Sequence, residues 1–294
     1  MNIYEPIVEV RGLAKTYGQV EALSGIDFEI RRGEIVSLLG PNGAGKSTTI
    51  EILEGYRQRS SGTVRVLGED PEHATRAWRA RIGIVLQSAG LPDEMTAREL
   101  VAHFARFYPA PRNVDDVIDH VGLTAKARAR IGTLSGGQKR RLDVALGIIG
   151  RPELLFLDEP TTGFDPEARR QFWNLIRNLR SDGATILLTT HYLDEAAQLS
   201  DRAIVVADGR VVAEGAIDEI GGPDARIPIV RWVDDDGIHQ VRTHRPTALV
   251  TELSAHNNSD EIPNLEIVRP SLEDIYLGIV ASVESTKLAT NSLN

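Results

Sequence analysis

Short apolar runs alternate along this chain with segments whose apolar positions recur every three or four residues. Ile7–Val10 and the alternating Ile26–Ile30 read as paired strands, Gly33 turns the chain, and Ile35–Leu39 reads as a buried apolar strand. A glycine-rich loop at 40–45 precedes a helix over Ser47–Glu54. Thr63–Leu67 and Ile82–Leu86 read as further strands. Helical spacing then dominates 93–150, in Ala97–Phe107, Asn113–Val121 and Gly137–Ile149. Strands at Leu154–Leu157 and Ala184–Leu188 flank an amphipathic helix over Glu167–Arg180, with Phe172, Leu175, Ile176 and Leu179 on one side. Another helix at Leu193–Leu199 is followed by a hairpin turning at Asp208-Gly209. Gly221-Gly222-Pro223 breaks the pattern. Beyond it lie strands at Ile227–Val233 and Ile238–Thr243, apolar segments at Leu249–Leu253 and Leu265–Val268, and a short helix at Ser271–Val280. The alternation predicts an α/β fold over 1–222, a small α+β domain over 223–280 and a disordered polar tail over 281–294.

Composition narrows the function. With 33 basic against 42 acidic residues the net charge is −9, which argues against a general nucleic-acid coat. Cysteine is absent, which excludes disulfides, zinc-thiolate sites and a cysteine nucleophile. No apolar run approaches the roughly 20 residues needed to span a bilayer, and the first residues lack a secretory pattern. The chain is therefore expected in the cytoplasm.

Residues 40–47 read G-P-N-G-A-G-K-S, between a strand and a helix, and match G-x-x-x-x-G-K-[ST]. The loop of Gly40, Pro41, Asn42, Gly43, Ala44 and Gly45 is set to close around a phosphate with its backbone N–H groups, which Pro41 alone lacks, helped by the positive end of the helix. Lys46 supplies a point charge for the β- and γ-phosphates, Ser47 a hard oxygen for Mg²⁺, and Thr48 a donor for the α-phosphate. Downstream, L-L-F-L-D-E at 154–159 carries the chain through a sheet and delivers two acids. Asp158 is placed to hold Mg²⁺, and Glu159 to polarise the attacking water.

Between these motifs, residues 134–138 read L-S-G-G-Q. The segment resembles the signature of the ATP-binding cassette (ABC) family, and 7–220 resembles that family's nucleotide-binding domain. The resemblance implies an ABC-type P-loop fold with an antiparallel β-subdomain and a helical subdomain at about 93–150. It implies Mg²⁺-dependent ATP hydrolysis. Tyr17 then stacks on adenine, Gln87 touches Mg²⁺ and the attacking water, and His191 contacts the γ-phosphate. Asp165 lies in the loop that crosses the dimer, although Asp165-Pro166 also reads as a helix cap. Ser135, Gly136, Gly137 and Gln138 form a second anion site that closes over the γ-phosphate held by another subunit. One phosphate loop and one signature thus imply a partner cassette, most economically a homodimer. Without a membrane span, transport requires separate permease subunits at the cytoplasmic face of the membrane, docked near Ala89–Thr96, and no nucleic acid is expected. The segment 223–280 ends in L-E-I-V-R-P-S-L-E-D-I-Y-L and, together with the single cassette, resembles the daunorubicin/doxorubicin resistance exporter ATPases. An importer ATPase, or a non-transport ABC ATPase acting on nucleic acid or ribosomes, carries the same catalytic motifs. In the helix after the signature, Lys139, Arg140 and Arg141 read as a basic face, and Gly147 lowers helix propensity by about 1 kcal/mol relative to alanine.

Overall fold

The computed structural model describes residues 6–85, 90–234, 236–256 and 261–291. The chain divides into two compact units, Met1–Glu214 and Gly215–Asn294, so the break falls a few residues before the Gly221-Gly222-Pro223 interruption.

The first unit opens with β1 (Pro6–Tyr17) and β2 (Val20–Arg31), which are longer than their apolar cores suggest because register shifts let the pairing continue past Gly12. The chain continues through β3 (Ile35–Leu39), α1 (Lys46–Leu53) and β4 (Ser61–Val66). Next come α2 (Arg76–Arg79), β5 (Ile82–Val85), α3 (Ala97–Ala105), α4 (Val114–His120) and α5 (Gly136–Ile148). It closes with β6 (Leu154–Asp158), α6 (Pro166–Ser181), β7 (Thr185–Thr189), α7 (Leu193–Leu199), β8 (Arg202–Ala207) and β9 (Arg210–Ala216). Strands β2-β1-β4 form an antiparallel sheet, and β5-β6-β7-β3-β8-β9 form a second, parallel through β5 to β8. The β8–β9 hairpin turns through Asp208 and Gly209, both left-handed at φ 48° and 70°, the geometry that matches strand twist in a two-residue turn.

The parallel sheet is buried on both faces, which explains its continuous apolar strands. Ile35, Leu155, Leu157, Ile186 and Leu188 pack with helices α3 to α6. Their neighbours Val36, Leu38, Leu154, Phe156 and Leu187 pack with α1 and the antiparallel sheet. Period-two alternation thus divides one sheet between two cores. The α/β class, antiparallel subdomain and helical subdomain are as the resemblance implies.

In the second unit, β11 (Gly237–Arg242), β10 (Ile229–Asp234) and β12 (Glu266–Val268) form a sheet in that order. Leu249 and Leu253 lie on α8 (Pro246–His256) and pack with Val230, Trp232 and Ile262. The expectation of disorder over 281–294 is corrected as far as residue 291, because α9 (Leu272–Asn291) continues to there. Polar composition suggested disorder, but 281–291 contain no glycine or proline to stop a helix.

Where α5 crosses β5, two glycines set the approach. A Cβ on Gly83 would lie 2.3 Å from the Gly147 carbonyl oxygen, and one on Gly147 would lie 2.9 Å from Val85 Cγ2. The helix-propensity cost of Gly147 is therefore offset by packing that a larger residue disturbs. Gly83→Ala is expected to lower stability by about 1–3 kcal/mol, the scale of core overpacking. Gly147→Ala should fail to deliver the propensity gain of about 1 kcal/mol. Urea melts of the purified variants test both, and a Gly83→Ala protein as stable as wild type would refute the packing argument.

Candidate active site

Three neighbouring strands of the parallel sheet deliver the polar groups. β3 and β6 both pair with β7, which places Leu38 and Asp158 on either side of Thr189. The phosphate-loop strand and the acidic-pair strand are thus one strand apart.

After β3, Gly45 turns the chain into α1 at φ 104°, and a Cβ there would lie 2.5 Å from Leu23 Cδ2 and 2.7 Å from the Ala22 carbonyl. Only glycine fits that turn against β2. Ala44 is buried, Pro41, Asn42, Gly43 and Ser47 are exposed, and Gly40 and Thr48 are intermediate. Lys46 Nζ donates to the Gly40 carbonyl at 2.7 Å and the Pro41 carbonyl at 3.0 Å. Burial lowers the Lys46 pKa, while the charges of Glu159 and Asp158 oppose that shift. The lysine therefore feels both members of the acidic pair.

Thr189 organises those acids. Its hydroxyl donates to Asp158 Oδ1 at 2.5 Å. The Glu159 N–H donates to both the carbonyl and the hydroxyl oxygen of Thr189 at 3.1 Å. Glu159 sits at φ 43°, a left-handed conformation that costs a residue with a side chain about 1–3 kcal/mol. Its Oε2 lies 3.3 Å from His191 Nδ1 and accepts from the Thr162 hydroxyl at 3.3 Å. The His191 ring leans on Tyr192 at 4.0 Å between centroids, and Arg169 lies 4.0 Å over the Tyr192 ring. Among the described residues no cluster of three or more His, Cys, Asp and Glu is placed to hold a metal. The hard oxygens of Ser47 and Asp158 suit a cation such as Mg²⁺ that keeps water and phosphate among its ligands.

Ser135 forms a capping box with Gln138 at the start of α5: Gln138 N–H donates to Ser135 Oγ at 3.3 Å, and Ser135 N–H to Gln138 Oε1 at 3.0 Å. A Cβ on Gly136 would meet nothing within 4 Å, and one on Gly137 only Ala168 Cβ at 3.8 Å. Among the described residues nothing requires glycine at either position. Asp165 caps α6, accepting from the Ala168 N–H at 2.8 Å with Pro166 beginning the helix, so the cap reading is realised. Tyr17 stands at the end of β1, with Lys15 Nζ at 5.0 Å and Arg57 at 5.2 Å from its ring centroid. Arg57 in turn pairs with Glu51 of α1. Gln87 and Ala89 lie outside the described residues.

The basic-face reading of α5 needs correction at Arg140. That residue is only 6% exposed, and its guanidinium donates to the carbonyls of Pro160 at 2.9 Å and Asp158 at 2.8 Å. It ties the helix after the signature to the end of β6. Lys139 and Arg141 do face outward, toward Asp93 and Gln171. Sequence spacing alone missed Arg140 and Thr189. The available signal for Arg140 was its position on the buried side of α5, one turn before Asp143 and four residues before Val144.

A family model described as ABC transporter matches residues 23–162. The chain is 37% identical to the Nod factor export ATP-binding protein I of Ralstonia nicotianae, over 92% of this chain and 93% of that protein. It is 42% identical to the daunorubicin/doxorubicin resistance ATP-binding protein DrrA of Streptomyces peucetius, over 72% of this chain and 66% of that one. A solved dimeric ATP-binding cassette, in a post-hydrolysis state with ADP and phosphate, matches 71% of this chain and 98% of its own, with a TM-score of 0.64 at 26% identity.

Arg140→Met keeps the volume of the side chain and removes its donors. It leaves two buried carbonyls and Asp143 short of a partner, and is expected to cost at least about 1–3 kcal/mol. Arg140→Lys should not restore the loss, because a single ammonium cannot reproduce the guanidinium fork. Denaturant melts read the effect, and coincident curves for Arg140→Met and wild type would reject the clamp.

Proposed function

This chain belongs to the ABC transporter family as an ATPase subunit, and from that premise we propose that it is the motor of an exporter, hydrolysing ATP with Mg²⁺ at two sites shared across a dimer. The observation that carries the catalytic reading is the Thr189 bridge, which holds Asp158 and Glu159 side by side while His191 approaches Glu159. The phosphate loop with Lys46 and Thr48 binds the triphosphate, and its amides and the α1 N-terminus balance the phosphate charge. Tyr17 stacks on the adenine. Ser47 and Asp158 would hold Mg²⁺, with Gln87 as a further ligand, and the ion would supply charge neutralisation on the phosphates. Glu159 accepts the proton of the attacking water, and its Thr189 and Thr162 contacts keep the carboxylate oriented. His191 orients Glu159 and reaches the γ-phosphate.

The open surface beside Gly136 and Gly137 supports a shared site: no described residue crowds either glycine, and a phosphate from a second cassette could approach the free N–H groups at the start of α5. Asp165 then serves both as a cap and at the dimer crossing. Export rather than import is supported by the named activities of the Nod factor and daunorubicin-resistance relatives. No helix among the described residues is long and apolar enough to cross a membrane. We place the motor at the cytoplasmic face, bound to separate permease subunits. Residues 1–222 suffice for nucleotide chemistry in this reading, and the segment 223–280 serves packing or regulation.

Glu159→Gln should retain ATP binding and lose at least ~10²-fold in turnover, the scale of a general base. Phosphate release and nucleotide affinity measured together check this, and near-normal turnover would remove Glu159 from its role. Mixing a Lys46→Ala chain with a Ser135→Arg chain should restore part of the ATPase activity, since both lesions can share one interface and leave the other intact. Full hydrolysis by monomeric Ser135→Arg protein would rule out shared sites.

A further inference from the structure

One fully buried acid has no part in the chemistry described above. Glu195, in the first turn of α7, is 0% exposed. The Trp173 indole donates to its Oε1 at 3.1 Å. Burial raises the carboxyl, and the hydroxyls of Thr190 and Thr161, the Trp173 N–H and the charge of Arg169 all pull the other way. Both threonines are themselves buried.

These four neighbours come from three pieces of chain, and each piece carries a residue of the candidate site. Thr161 lies two residues past Glu159 and one before Thr162, whose hydroxyl holds the Glu159 carboxylate. Thr190 immediately precedes His191, and its hydroxyl accepts from the Tyr192 N–H at 2.9 Å. Arg169 and Trp173 stand on α6, which Asp165 caps. The Glu195 N–H donates to the Tyr192 carbonyl at 3.0 Å, so the acid is fixed to the turn that bears His191. The Tyr192 ring meets both the His191 ring and the Arg169 guanidinium, at 4.0 Å in each case.

As a source of stability this cluster is poor. Among the described residues Glu195 Oε2, Thr161 Oγ1 and Arg169 Nε are each buried without a hydrogen-bond partner. A partly satisfied polar network is less favourable than apolar packing of the same volume. Glu195 also shares the buried side of α7 with Ala196 and Leu199, where an apolar residue would serve the fold as well.

We propose that Glu195 is a positioning residue of the ATPase, holding the turn at Thr190-His191 and the segment after Glu159 together against α6 and so setting the approach of His191 to Glu159. The proposal rests on the hydrolytic reading above and adds a residue that, being fully buried, does not touch nucleotide. Glu159 Oε2 and His191 Nδ1 stand 3.3 Å apart but belong to separate loops, one after β6 and one after β7. Thr189 fixes the Glu159 backbone from the strand, whereas Glu195 bears on the chain beyond it, where the Glu159 side chain is held. Misplacement of a reacting group by roughly 1 Å costs turnover by up to about 10²-fold.

The test uses the full chain. Glu195→Leu keeps the volume and removes both acceptors, and Glu195→Gln keeps an acceptor for Trp173 and the hydroxyls. Glu195→Leu is expected to match wild type in urea melts and to bind ATP within ~2-fold of wild type, while its kcat falls at least ~10-fold. Glu195→Gln should bring kcat back to within ~3-fold of wild type. An unchanged kcat in Glu195→Leu would overturn the proposal. So would a loss of ATP affinity as large as the loss of turnover, or no recovery in Glu195→Gln. Trp173→Phe removes one donor and leaves the acid in place, and it decides the case if Glu195→Leu does not fold. A fall in its kcat of at least ~3-fold at unchanged ATP affinity supports positioning, and an unchanged kcat overturns it. Absence of hydrolysis by wild type, or normal turnover in Glu159→Gln, would instead sink the motor reading, so the two failures are told apart.

Discussion

The architecture depends on a parallel sheet that is covered on both faces. No polar side chain can be placed along the middle of β3, β6 or β7 without a buried partner, so the chemistry is confined to the ends of those strands. The phosphate loop follows Leu39, the acidic pair follows Leu157, and Thr189 closes the strand between them. Parallel pairing then brings the three ends together with no further instruction. Thr189 serves three purposes there: it spaces the loop from the acids, fixes Asp158 through its hydroxyl, and anchors the strained backbone of Glu159.

A second constraint joins the helical block to that edge. α5 approaches β5 closely because Gly83 and Gly147 leave room, and this proximity lets Arg140 reach past the core to the carbonyls of Asp158 and Pro160. The start of the same helix carries the capped but sterically open Ser135-Gly136-Gly137 segment. One rigid element thus links the end of the acidic-pair strand to a surface suited to a second molecule.

Residues whose role depends on local spacing were legible in the chain. G-P-N-G-A-G-K-S between strand and helix, L-L-F-L-D-E, and L-S-G-G-Q each state a backbone path and a chemical capacity within a few residues. The hairpin at Asp208-Gly209 and the cap at Asp165-Pro166 are similarly local. Residues whose role depends on long-range neighbours were not legible. Arg140 looks like its basic neighbours until α5 is packed against β6, and Thr189 looks like the last residue of an apolar strand. The tail after residue 280 was misread because composition reports whether a segment is polar, whereas helix continuation depends on the absence of a breaker and on what precedes it.

By itself, then, the sequence determined the elements, the order of the motifs and the kinds of atom offered to a nucleotide, because these follow from side-chain periodicity and from backbone demands spanning a few residues. Only the tertiary structure decided which carboxylates are oriented and which are left buried short of hydrogen-bond partners. Glu54, Asp143 and Glu159 are all acids on the page. Burial and a threonine from an adjacent strand make them different, and both are set by the packing of elements far apart in the chain.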